Sequence, residues 1–279
     1  MAKDPLAADP LMAALAKLGL DSVDGAFCFA GGTDLDRPGL AHRRRTRFTV
    51  TDNRGCVHTL YMKRYAAEPL AWRARRVVTY GLGRSPAAVE FENIRTAHAT
   101  GLPTMRALVF GQEQNGLGVQ RSYLVFTAVP GESLASCAKG FIAAHGTGSE
   151  PVCRLTSGLA NLIRRLHLAG YVHRDLYASH VFLDRRDGRL DLYLIDLARM
   201  FAPRWRTRRW LIKDLAQLRF SMPPEWVKHH WQAFMCHYME GAPAAEIAAF
   251  SLATERKATR IFQQLLRRQQ VQTSQSPAK

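Results

Sequence analysis

Tyr171-Val172-His173-Arg174-Asp175-Leu176-Tyr177-Ala178-Ser179-His180 is the stretch whose reading decides the fold. It follows residues 155–168, where Leu159, Leu162, Ile163, Leu166 and Leu168 recur at helix spacing before Gly170 ends the run. It precedes Val181-Phe182-Leu183, a short β-prone run. Asp175 therefore falls on a loop between helix and strand, where a carboxylate can accept or align the proton of an attacking hydroxyl. Further on, Leu194-Ile195-Asp196-Leu197 sets a second carboxylate at a strand end. An oxygen-rich, partly hydrated position there suits Mg²⁺ on nucleotide phosphates. Either feature alone is weak, since an isolated His-Arg-Asp is common and an Asp after an apolar run usually caps or turns. Together, in this order, they assign separable tasks to the two acids: base and metal ligand.

This is the layout of a protein-kinase-like catalytic loop and metal aspartate. In that layout Arg174 steadies the loop and His173 packs beneath it. The fifth residue after the catalytic Asp is usually Asn, a second metal ligand, and here it is His180. Imidazole is a poor partner for a hard cation, so His180 either binds metal atypically, contacts a phosphate or packs structurally.

Upstream, Leu60-Tyr61-Met62-Lys63-Arg64-Tyr65 embeds a lysine in a strand-like apolar run. A strand face seldom buries an ammonium without a partner. Lys63 is read as the cation that grips the nucleotide phosphates, with Glu90 as its partner on a helix over residues 86–99. Glu92 is the second choice, and the two glutamates point about 200° apart on a helix, so only one can serve. The bland alternative is an edge-strand lysine facing water. Thr127 and Val129, just before the breaker pair Pro130-Gly131, are expected to frame the adenine. No Gly-x-Gly-x-x-Gly occurs, and residues 40–45 either replace its amides with basic side chains or form a solvated charge run.

Around this constellation the chain reads as strands first, then a Pro-Gly break, then helices. Residues 10–20 read as a short apolar helix and residues 25–39 as turn or loop. Residues 47–51 and 56–65 form a hairpin about Asp52-Asn53-Arg54-Gly55, and residues 108–110 and 122–126 are β-rich. The expectation is an α+β, two-lobed, protein-kinase-like fold: an antiparallel sheet plus one helix, then a mainly helical lobe. Its parts are an N-terminal helical extension (1–24), an N-lobe (25–129), a C-lobe (130–271) and a flexible tail (272–279).

The 279 residues suffice for such a domain, and a hydrophobic fraction of 47% with 22% charged is ordinary for a globular protein. No apolar run is long enough to span a bilayer, and residues 1–20, interrupted by Asp4 and Asp9, do not resemble a secretory signal. Five dispersed cysteines without a Cys-x-x-Cys pair argue against disulfides or zinc and for a reducing compartment. A net charge of +16 favours anionic partners: nucleotides, phosphorylated sugars, lipid head groups or nucleic acid.

The motifs together resemble the Kdo/WaaP family of lipopolysaccharide core kinases. The resemblance rests on His173-Arg174-Asp175-Leu176-Tyr177 with His180, on Ile195-Asp196-Leu197-Ala198-Arg199 and on the Lys63 strand. It also rests on the Glu90 helix before Gly101-Leu102-Pro103-Thr104 and on residues 209–218, with Lys213-Asp214-Leu215-Ala216 at their centre. It covers about residues 40–225. It implies ATP and Mg²⁺ as cofactors and phosphorylation of a heptose or Kdo sugar of the inner core. The setting it implies is cytoplasmic, peripheral on the inner-membrane face, with no nucleic-acid partner. Asp214 would buttress the catalytic loop from below, or, read from the residues alone, cap a helix start. Arg204, Arg206, Arg208 and Arg209, interleaved with Trp205 and Trp210, suit an anionic sugar. Residues 256–268 are basic and amphipathic, fitting either anionic lipid or ordinary helix packing. Rival readings are a kinase acting on a small molecule or protein, and a non-catalytic pseudokinase that binds anionic glycolipid. The short interval from Asp196 to Lys213 argues against a peptide substrate, and the intact Lys63, Asp175 and Asp196 argue against a pseudokinase.

Overall fold

Alternation of apolar and polar side chains sets the first sheet. In the computed structural model, which describes residues 10–35, 43–66, 84–115, 118–186 and 188–274, β2 (Arg43–Thr51) and β3 (Val57–Tyr65) pair antiparallel in a hairpin closed at Asp52. The Asp52 carboxylate accepts from the Arg54 and Cys56 amides and lies 2.9 Å from the His58 ring. Those bonds, the His58 contact first, hold its pKa below the usual carboxylate range. The strand begins four residues earlier than the sequence suggested, because residues 43–45 continue the ladder opposite Tyr65, Arg64 and Lys63. These arginines are therefore strand residues. Residues 40–42 lie outside the described residues.

β1 (Thr33–Asp34), β4 (Ala107–Asn115) and β5 (Gly118–Thr127) complete a five-stranded sheet in the order β1-β2-β3-β5-β4. On one face, Leu11 and Leu15 of α1 (Pro10–Lys17), with Leu20, join Phe48, Val50, Leu60, Met62, Tyr123 and Val125 in one buried cluster. Each fully buried leucine contributes roughly 1.5–3 kcal/mol, which ties the N-terminal helix to the sheet. The Tyr123 hydroxyl donates to Leu20 O at 2.9 Å, and burial pushes its pKa up to about 12. Residues 25–35 are not plain loop as expected. α2 (Val23–Cys28) is capped by Ser22, whose hydroxyl accepts from Gly25 N, and β1 pairs with β2. Both elements are too short to leave a periodic signal. α3 (Pro86–Ala99) occupies the expected residues and buries Val89, Glu90, Phe91 and Ile94.

The chain divides into two compact units. One holds the described residues up to Ala99 together with Thr104–Val129, and the other holds Thr100–Pro103 and the chain from Pro130. The second unit opens on β6 (Glu132–Ser133), which joins β7 (Val181–Asp184) and β8 (Asp191–Leu194) in a three-stranded sheet. Gly131 is required at its start: φ is +80°, and a Cβ would lie 2.1 Å from Leu183 O. α4 (Leu134–His145) follows, then α5 (Glu150–Leu168), whose stripe Val152, Leu155, Leu159, Leu162, Ile163 and Leu166 is wholly buried. α6 (Thr207–Ser221), α7 (Pro224–Tyr238) and α8 (Ala244–Ser274) complete the unit, with α5 packed on α7 and α6 on α8. Trp231, Phe234 and Tyr238 stack along α7, Trp226 meets Phe234 edge-on, and Trp226 Nε1 donates to Thr156 on α5 at 3.0 Å. This is an α+β fold. All five cysteines are free.

Candidate active site

Period-two geometry along β3 sends neighbouring cations to opposite faces of the first unit's sheet. Arg64 turns toward α2, where its guanidinium donates to Phe29 O at 3.1 Å and to the Thr46 hydroxyl at 2.8 Å. Lys63 turns toward α3, and its Nζ lies 2.5 Å from Glu90 Oε1, with the lysine 4% and the glutamate 0% exposed. The Tyr65 hydroxyl donates to the other Glu90 oxygen at 3.2 Å, and the ring of Phe126 lies 5.4 Å from Nζ. The pair is thus dry and supported from three sides. Glu92, the second choice, faces outward and pairs with Arg84. The Thr127 hydroxyl accepts from Arg106 N at 3.0 Å, and Val129 is half-buried at the end of the unit.

In the second unit the loop residues His173 and Arg174 are held chiefly through their backbone. Asp214, fully buried, accepts from His173 N at 2.6 Å and from Arg174 N at 2.8 Å, one carboxylate oxygen to each. Charge-assisted bonds of this kind are roughly twice as strong as neutral ones. Asp214 lies in the middle of α6, not at its start, so it is not a helix cap; it is a support under the loop. Lys213, its neighbour, donates to Arg174 O at 2.7 Å, and burial lowers its pKa against the opposing pull of Asp175. Arg174 takes a left-handed backbone (φ 72°) and lays its guanidinium over Phe201 (5.2 Å) and Trp210 (5.5 Å). Such strained positions concentrate where surrounding contacts over-determine the backbone.

His173 is fully buried, its Nε2 is 2.9 Å from Ile195 O, and Nδ1 has no partner among the described residues. Burial holds its pKa below the ordinary 6.5, outweighing the Asp214 carboxylate. The ring is therefore neutral, with Nε2–H donating. Through this bond the loop is tied to the residue before Asp196, which itself takes a left-handed φ of 60°.

His180 closes the loop from the other side. Its Nδ1 lies 2.7 Å from Asp175 O, a carbonyl that can only accept, so Nδ1 carries the proton. Nε2 lies on the far side of the ring, 3.8 Å from Asp196 Oδ2. A metal-binding histidine commonly fixes its tautomer with such a carbonyl bond. Among the described residues no group of three or more His, Cys, Asp or Glu is arranged so that it could hold a metal ion. The Asp175 carboxylate, 22% exposed, is met by Arg199, whose Nη1 stands 2.9 Å from each of its oxygens. The sequence alone gives Arg199 no role beyond the motif Ile195–Arg199; its position three residues after Asp196 is the signal that could have found it.

The basic segment is exposed. Arg204, Arg206, Arg208 and Arg209 all face solvent, and Trp205 is 85% exposed. Arg208 also lies over Phe250. Trp210 instead packs edge-on against Phe201. The two tryptophans therefore differ: one is part of the loop's support, the other stands free in water. On α8, Phe262, Leu265 and Leu266 are 37–51% exposed beside the basic residues, so this stretch is not fully packed.

The profile of the lipopolysaccharide kinase (Kdo/WaaP) family matches residues 39–238. The lipopolysaccharide core heptose(I) kinase WaaP of Pseudomonas aeruginosa is 29% identical over 189 residues, 64% of this chain and 66% of that protein. Its namesake in Escherichia coli (strain K12) is 38% identical over 71 residues, 24% of this chain and 27% of that protein. The aligned stretches thus span less than two thirds of these curated relatives. The structure titled "WaaP in complex with acyl carrier protein" superposes with a TM-score of 0.66 at 24% identity, covering 89% of this chain and 96% of that one. With the family profile extending over more than half its length, the chain belongs to the lipopolysaccharide kinase (Kdo/WaaP) family.

Proposed function

We propose that this member of the lipopolysaccharide kinase (Kdo/WaaP) family transfers the γ-phosphoryl group of ATP to a sugar hydroxyl. The acceptor is a heptose or Kdo of the lipopolysaccharide inner core, or a related anionic glycolipid. The observation that carries this reading is the placement of two carboxylates, Asp175 on the loop whose backbone Asp214 holds and Asp196 beside His180. The acceptor oxygen attacks the γ-phosphorus as the bond to the β-phosphate oxygen breaks, releasing ADP. Asp175 takes the hydroxyl proton. Lys63, fixed by Glu90, binds nucleotide phosphate, and residues near Thr127 and Val129 flank the adenine.

Asp196 and His180, partly exposed and 3.8 Å apart, would hold a divalent cation through one carboxylate and the imidazole Nε2, and water and phosphate oxygens would complete the shell. A partly hydrated ion held by few protein ligands is the habit of Mg²⁺. When bound, the ion neutralises charge on the phosphates. The exposed arginines at 204, 206, 208 and 209 meet the acceptor's anionic groups, and Trp205 offers a face to a sugar ring.

No helix among the described residues is long and apolar enough to cross a membrane. The protein meets its lipid-borne acceptor from the cytoplasmic side, as a peripheral visitor to the inner membrane. The test is incubation of purified protein with ATP, Mg²⁺ and dephosphorylated core glycolipid, read by mass spectrometry. A single added phosphate is expected, absent in Asp175→Ala. No incorporation by the wild type, or undiminished transfer by Asp175→Ala, would overturn the reading.

A further inference from the structure

Between Asp175 and His180 the loop carries no cation, only Leu176, Tyr177, Ala178 and Ser179, and the guanidinium of Arg174 before it lies over Phe201 and Trp210. Yet the oxygens of a transferring phosphoryl group carry charge that needs a fixed positive partner near the base. Two cations stand close to Asp175. Lys213 is occupied, donating to Arg174 O at 2.7 Å. Arg199 is different. Its Nη1 sits at an equal 2.9 Å from both Asp175 oxygens, while Nε and Nη2 make no hydrogen bond among the described residues. The side chain is 48% exposed.

We infer that Arg199 is a further catalytic residue, an arginine supplied in cis that bridges the base Asp175 and the transferring phosphoryl group. The inference rests on the phosphotransfer reading above. Nη1 between the two carboxylate oxygens uses one lone pair of each and leaves another on each for the acceptor hydroxyl. The guanidinium's uncommitted N–H groups point a planar donor edge at phosphoryl oxygens. As the acceptor oxygen bonds to phosphorus and the bond to ADP breaks, the hydroxyl proton passes to Asp175. Neutralised, Asp175 loosens its hold on Nη1, and the guanidinium charge is freed for the phosphate ester. No co-reactant beyond ATP and acceptor is needed.

Stability does not explain the contact, since half-exposed ion pairs contribute little to it. The same exposure means that replacing Arg199 should leave the fold intact. The experiment compares Arg199→Met, Arg199→Lys, Asp175→Asn and the double variant Asp175→Asn/Arg199→Met. It measures transfer from ATP to core glycolipid, melting temperature and nucleotide-induced stabilisation. Arg199→Met should lose on the order of 10³-fold in kcat, the low end for arginines that serve phosphoryl transfer, with KM for ATP nearly unchanged. Free guanidinium ion should restore part of that rate, and Arg199→Lys should fall between the two. In the Asp175→Asn background, Arg199→Met should cost only a few-fold more, because the two groups act as a unit. Should Arg199→Met fold poorly, Arg199→Lys at wild-type melting temperature decides: a kcat equal to wild type sinks the inference. An Arg199→Met kcat within about threefold of wild type sinks it too, and leaves the kinase reading standing. Wild-type protein that transfers no phosphate sinks the kinase reading itself.

Discussion

His173 shows how a single residue can report on the state of the loop. Its ring is sealed from solvent, donates through Nε2 to Ile195 O, and is held neutral by burial. The native pKa therefore lies below the ordinary 6.5, the value the unfolded chain retains. Below that pH the unfolded chain binds a proton that the native protein refuses, so stability increases with pH across this window. It is fully present above 6.5 and is lost as pH falls from there toward the native value. Urea unfolding between pH 8 and pH 5.5 should show this decline, and ring-nitrogen NMR should find His173 in its neutral Nε2–H form at pH 6.5. A charged His173 in the folded protein at that pH would contradict the account. The Lys63–Glu90 pair makes the complementary point. Its charges are tolerated in the interior because each has its partner, and removing one side of such a pair typically costs 3–5 kcal/mol.

Among the elements, α6 matters most to the site, because it sets Asp214 beneath a loop about forty residues earlier in the chain. Neither bond involves the loop's side chains, so the loop's composition can vary while its path is kept. Asp214→Asn preserves size but turns one acceptor into a donor facing a backbone N–H. The variant should lose about 2–3 kcal/mol, as expected when a buried charged hydrogen bond is broken. Hydrogen exchange at the His173 and Arg174 amides should accelerate well beyond that at the α5 core. Unchanged protection at those two amides would show that the carboxylate does not support the loop. The helices that announce themselves in sequence, α3 and α5, do so through long apolar stripes. α2, β1 and β6 are two to six residues long, too short for a period to show, and they exist because tertiary neighbours complete their hydrogen bonds.

For the molecule as a whole, the governing quantity is a net charge of +16. A field of that size draws anions from a distance, and salt screens it with a Debye length of about 8 Å at physiological ionic strength. Binding to vesicles that contain dephosphorylated core glycolipid should weaken at least tenfold between about 50 mM and 500 mM NaCl. Salt-independent binding would mean that apolar contacts carry the association instead. The sequence by itself determined the order of the two units and the placement of Asp175 on a loop, Asp196 at a strand end and Lys63 inside a strand. All of these follow from local periodicity and from the anomaly of a cation in an apolar run. Only the tertiary structure decided the partners: Glu90 over Glu92, Asp214 as loop support and not cap, the tautomer of His180, and Arg199 on Asp175. Each of those choices joins groups far apart in the chain or depends on how a helix or ring is rotated against its neighbour. Packing fixes such rotations, and no local pattern of residues records them.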